Sequence, residues 1–98
     1  MRKFFCAHTL PAGSMTYEQV CQIADASQHE QGVRGYRSFV NLSEGKALCV
    51  LEADDRDALV AWFEKMGLPY DSISLVELEG ERGLIEDLRR EPAMAAAY

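Results

Sequence analysis

The feature that most restricts the fold is a change of period that occurs twice within the first eighty residues, from alternation by two to spacing by three and four. Lys3 to Thr9 alternates Phe4, Cys6 and His8 against Phe5 and Ala7, then stops at Pro11 to Gly13, which predicts a strand. A helix start follows. Thr16 can cap, Gln19 stands three residues later as its capping-box partner, and Met15 can staple against Val20. Val20, Ile23, Ala24 and Ser27 keep the spacing of a buried helical stripe, so a helix is expected to run to near His29, with Gly32 beyond it. Arg34 to Leu42 and Lys46 to Ala53 are strand-like, and the short Ser43–Gly45 link makes them a hairpin. Asp54 or Asp55 can cap a second helix carrying Leu59, Trp62, Phe63 and Met66, with Gly67 as its stop and Pro69 blocking continuation. Ser72 to Glu79 reads as the last strand.

Two strand–helix–strand halves that share a central hairpin define an α+β, ferredoxin-like βαββαβ fold, a four-stranded antiparallel sheet with two helices on one face. The first and third strands are expected at its centre. The other face lacks a cover, so a homodimer with that face against the partner is expected. The organisation is then a domain over 1–80 and a C-terminal segment over 81–98. In that segment Leu84, Ile85 and Leu88 suggest a short helix ended by Pro92, followed by an apolar tail that is either part of the domain or a dimer arm.

Ten basic against sixteen acidic residues give a net charge of −6, which argues against a nucleic-acid partner, since phosphate neutralisation needs clustered Lys and Arg. An anionic membrane surface is disfavoured for the same reason. No stretch reaches the length of apolar sequence that a spanning helix needs. The three cysteines, Cys6, Cys21 and Cys49, have no paired spacing and read as free thiols of a cytoplasmic protein. The P-loop, GxGxxG, GxSxG, HExxH and paired CxxC patterns are missing, which excludes a nucleotide cofactor and serine-hydrolase chemistry by familiar routes.

Alternation sorts the strands into two faces. Phe5, Ala7, Phe39, Cys49, Leu51, Val76 and Leu78 are expected beneath the helices, and Phe4, Cys6, His8, Tyr36, Ser38, Val50, Glu52, Leu75 and Glu77 on the open side. The second set mixes apolar bodies with ionisable groups, as ligand sites do. His8 is the leading candidate, because imidazole titrates near neutrality and binds metals; a partly exposed His before a turn is the plainer alternative. Cys6 lies two residues from it, about 7 Å along one strand face, a pair suited to nickel, copper or zinc. Taken alone, Cys6 is equally a packed core thiol. Glu52 and Glu77 are strand-end acids expected near Phe4, on the order of 13 Å from His8. Asp25 and His29 stand four apart on the first helix and read as a surface pair. Tyr36 and Tyr70 line a cleft or an interface.

The segments HTLPAG (8–13), VRGYRSFV (33–40), CVLEADDRDALVAWFEKMGLPYDSI (49–73) and VELEG (76–80) resemble the small nickel-binding-protein-like domain family of unknown function, over about Phe4 to Gly80. The resemblance implies a ferredoxin-like fold, homodimerisation and a transition-metal site, Ni2+ or another divalent ion. By position it singles out His8, Arg37, Ser38, Cys49 and Glu52. The chain departs from the family pattern at Ala7, where an acidic residue is common; a ligand lost there would weaken the site.

Three functions remain in view. The leading one is a small dimeric metal-binding protein with His8 as ligand and Cys6 and Glu52 in support. The second is a cofactor-free enzyme performing proton transfer or oxygenation on a small apolar or aromatic molecule, with His8 as acid–base, Tyr36 and Ser38 orienting the substrate, and Arg37, Cys49 and Glu77 lining the cleft. The third is a purely structural or interaction module.

Overall fold

The structure, a computed structural model, describes residues 1–90. Its elements run β1 (Arg2–Thr9), α1 (Tyr17–Ala26), β2 (Val33–Asn41), β3 (Lys46–Ala53), α2 (Arg56–Met66), β4 (Ser72–Leu75), β5 (Leu78–Glu81) and β6 (Leu84–Asp87), ending in a 3-10 turn at Leu88–Arg90. β1 to β4 form one antiparallel sheet in the order β2-β3-β1-β4, so β1 and β3 are central.

Local chemistry sets the helix ends. The capping box forms at the start of α1: the Gln19 amide N–H donates to Thr16 Oγ1 at 3.1 Å, and the Thr16 N–H donates to Gln19 Oε1 at 2.8 Å. Asp55 caps α2 by accepting from the Ala58 N–H at 2.8 Å. Gly67 closes α2 at φ 66°, a left-handed turn that glycine adopts without steric cost, and the Leu68 N–H then donates back to the Phe63 carbonyl at 2.9 Å.

The register corrects the expected faces. Cys6 lies opposite Cys49 and Phe4 opposite Leu51, so these four share a face, and Phe4, Cys6 and Leu51 are buried with Leu59, Trp62 and Phe63 of α2. Phe4, Cys6 and His8 therefore lie beneath the helices, while Phe5 and Ala7 take the open side. Cys49 and Leu51 lie on the covered side as expected. β1 carries a phenylalanine at each parity, so alternation alone does not choose its inner face. β2 is inverted beyond its bulge, while Tyr36 keeps the expected open face, against Lys3. A bulge between Gly35 and Arg37 shifts its parity, placing Ser38 opposite Cys49 and Phe39 opposite Leu48. Phe5, Phe39 and Leu48 are consequently exposed, at 41%, 60% and 43%, on the open sheet face.

The C-terminal part also differs from expectation. The last strand of the main sheet ends at Leu75, not Glu79, and Leu84–Asp87 is a strand, not a helix. Arg82 at φ 51° and Gly83 at φ 86° make a two-residue hairpin turn that joins β5 to β6. The apolar spacing of Leu84, Ile85 and Leu88 imitated a helix, but the turn chemistry of Arg82–Gly83 prevails. The expected Pro92 stop and apolar tail lie outside the described residues.

Candidate functional site

His8 is 2% exposed near the end of β1. Its Nδ1 stands 2.9 Å from the Pro69 carbonyl oxygen. A carbonyl only accepts, so Nδ1 carries the proton and donates, and Nε2 of the neutral ring keeps its lone pair. Pro69 lies within the loop between α2 and β4, so the residue that blocks helix continuation also supplies the group that orients the imidazole. The ring meets Phe63 edge-on, 5.0 Å between centroids at 87°. Nε2 is buried and has no hydrogen-bond partner among the described residues, and the same holds for Trp62 Nε1.

Both rings line a mainly apolar cavity of about 200 Å³ between α1, the covered face of the sheet and α2. Val20 and Ile23 form its α1 wall, and Ala47 and Cys49 contribute from β3. The structure thus brings His8, Cys49 and Ser38 to one space, whereas the side chains of Tyr36 and Arg37 turn to the open face, against Lys3 and Phe39.

The other candidates are dispersed. Cys6 shares the strand face of His8 but is fully buried in the core. Burial, with a smaller push from Cys49, raises its thiol to about 12, and burial raises Cys49 to about 11. Neither is poised to form the thiolate that metals and electrophiles need. Glu52 lies on the open face opposite Lys3, across the sheet from His8. Glu77 falls between β4 and β5, where its carbonyl accepts from the Leu88 N–H at 2.9 Å. Asp25 and His29 form an exposed pair at 3.7 Å.

Two participants went unnoticed in the sequence. Trp62 reads as a core anchor, and only its unpartnered N–H marks it out. Glu79 is only the last residue of the final strand expected from sequence, yet it receives Lys3 Nζ at 2.7 Å and the Tyr36 hydroxyl at 3.2 Å, with the Lys3 ammonium 3.9 Å above the Tyr36 ring. The hydrogen bond from Lys3 is the main cause holding the Glu79 carboxyl below the usual range. Burial acts to lower the Lys3 pKa, but Glu79 outweighs it and keeps it raised.

A family model described as nickel responsive protein SCO4226-like matches residues 4–76. The chain belongs to this family. A crystal structure of SCO4226 from Streptomyces coelicolor A3(2) superposes with a TM-score of 0.66 at 22% identity, covering 80% of this chain and 99% of that one, which supports the fold. No curated protein matches the chain. Strands β5 and β6 fall outside the span that the SCO4226-like model matches.

Set against nickel, the donors of one copy are incomplete. Among the described residues no three His, Cys, Asp or Glu side chains come together to hold a metal ion. Among the described residues no helix is long and apolar enough to cross a membrane.

Proposed function

We propose that this chain is a small nickel-responsive cytoplasmic protein of ferredoxin-like fold, working as a homodimer, and that its response depends on His8. The observation that carries this reading is the imidazole itself. An N–H held by a backbone carbonyl, with the opposite nitrogen left bare, is how metal-ligating histidines are oriented by their surroundings. Membership of the SCO4226-like family supports the nickel part, and the exposed Phe5, Phe39 and Leu48 support a second copy on the open face. Donors beyond His8 come from outside the described residues of one copy. Glu52, on the open face across the sheet from His8, stands apart from an ion held there, and the buried Cys6 thiol serves packing first. Elemental analysis and thermal shifts with nickel test this, on wild type, His8→Ala and Glu52→Gln. Stoichiometric nickel that is lost in a folded His8→Ala protein is the expected result. Full retention by that variant removes His8 from the reading.

The cavity favours a second reading, in which a small organic molecule binds beside His8, whether for turnover or for sensing. An apolar space with a histidine ring and a few polar groups in its lining is the kind of site that small organic molecules occupy. A melting temperature that no small molecule raises would end it, because any ligand preferring the native state must raise it.

A further inference from the structure

Helix α1 is strapped to the sheet at both ends and leaves a space beneath its middle. Ahead of it, the Leu10 N–H donates to the Gly45 carbonyl at 2.8 Å and the Gly13 N–H to the Leu42 carbonyl at 3.1 Å. Behind it, Gln28 Nε2 donates to the Gly35 carbonyl at 2.8 Å. Glycine stands at both anchors: a Cβ on Gly45 would meet the Leu10 carbonyl oxygen, and one on Gly35 the Ser27 hydroxyl. Between the anchors none of the helix residues is buried, and Val20, Ile23 and Ala24 line the cavity of about 200 Å³. A dry apolar cavity of about 150 Å³ holds a benzene ring, so this one has room for a ring with small substituents.

The buried polar side chains of the lining offer an occupant no hydrogen bond. His8 Nε2 and Trp62 Nε1 are closed even to a water molecule, and His8 Nδ1 is engaged by the Pro69 carbonyl. The Ser27 hydroxyl donates to the Ala24 carbonyl at 2.6 Å. The charged residues of the lining, Arg37 and Lys46, belong by register to the open face of the sheet. The Cys49 thiol, raised by burial to about 11, stays uncharged. Ser38 is exposed and marks the solvent side. A hydroxyl or a charge carried into the interior would therefore lose its water without replacement.

We propose that the cavity under α1 binds a compact, uncharged, hydrocarbon-like molecule, held by apolar burial alone and selected against hydrogen-bonding groups. This rests on the small-molecule reading above and adds the chemistry of the ligand. The probes are 1,4-dimethylbenzene and 1,4-dihydroxybenzene, similar in shape; whichever way the second enters, one hydroxyl goes under the helix. Trp62 is the only tryptophan of the chain, so its indole N–H resonance is a single assigned reporter in the lining. Both probes are titrated into wild-type protein and into Ala47→Leu and Ala24→Leu, which fill the space from β3 and from α1, with folding checked by circular dichroism. The expected result is a saturable shift of the Trp62 resonance and a raised melting temperature with 1,4-dimethylbenzene. The dihydroxy probe should bind at least about tenfold more weakly, and either filling variant should weaken the hydrocarbon. Equal or tighter binding of 1,4-dihydroxybenzene overturns the hydrocarbon inference and leaves the small-molecule reading standing. Absence of binding by either probe overturns both. Unchanged binding in both filling variants places the probe elsewhere and overturns the assignment of the site.

Discussion

Replacing Phe63 by alanine tests whether the aromatic cluster or the space beside it governs stability. Phe63 is 1% exposed, and its ring meets His8 at 5.0 Å, Trp62 at 5.8 Å and Tyr70 at 5.5 Å. Truncating a buried phenylalanine costs about 3–5 kcal/mol, and each lost ring contact is worth about 0.5–1.5 kcal/mol where the geometry is good. The His8 contact is edge-on, the favoured arrangement, whereas the other two are tilted. A loss of about 4 kcal/mol follows, a large share of the roughly 5–15 kcal/mol that holds a small domain together. Urea unfolding followed by far-ultraviolet circular dichroism measures it, with the slope checked for two-state behaviour. The opposing effect is relaxation. Since α1 already spans a cavity, it can settle inward and fill the new void. A loss under about 2 kcal/mol with an unchanged slope would show that the helix collapses freely, refuting the picture of a framework held open by Phe63.

Gly35 lies under the end of α1, where an added Cβ would run into the Ser27 hydroxyl. Gly35→Ala should cost about 1–3 kcal/mol, and adding Ser27→Ala should recover part of it; strict additivity in a double-mutant cycle would refute the contact. Asp55→Ala removes the α2 cap and should lower stability by about 0.5–2 kcal/mol, seen as a lower melting temperature; no change would mean that another group serves the Ala58 N–H. Because Glu79 is depressed below its ordinary value, its contribution is full above the unfolded carboxylate value of about 4.3 and is lost as pH falls through the lower folded value. Nuclear Overhauser contacts between Tyr36 and Glu79 should therefore fade in acid while β1–β3 contacts persist, and their survival down to about pH 2 would contradict the assignment.

Most of the framework was legible because it rests on local chemistry. Thr16 with Gln19, Asp55 and Gly67 mark helix ends that the structure reproduces, and the Ser43–Gly45 link fixes the central hairpin. The faces were less legible, because the phase of a strand is decided by its neighbours. Phe4 and Phe5 compete for the inside of β1, and the bulge at Gly35–Arg37 leaves no mark in the alternation. His8 could be picked out from its residue type. Its orientation could not, since it comes from the Pro69 carbonyl sixty-one residues away. Trp62 was hidden for a related reason, because an unpartnered N–H depends on what fails to arrive beside it.

The β5–β6 ribbon gives the molecule two tiers of cooperativity. A two-stranded ribbon is marginal by itself in water. Here it is fastened by the Lys3–Glu79 pair, the Tyr36 hydroxyl and the hydrogen bond from Leu88 N–H to the Glu77 carbonyl. Leu78, Leu84 and Ile85 remain exposed on it. Its amides should therefore exchange with solvent through a small opening that leaves the four-stranded sheet intact. Each opening frees Lys3 and Tyr36 from Glu79, so the charge and apolar character at that end of the sheet fluctuate on their own clock, independent of global unfolding.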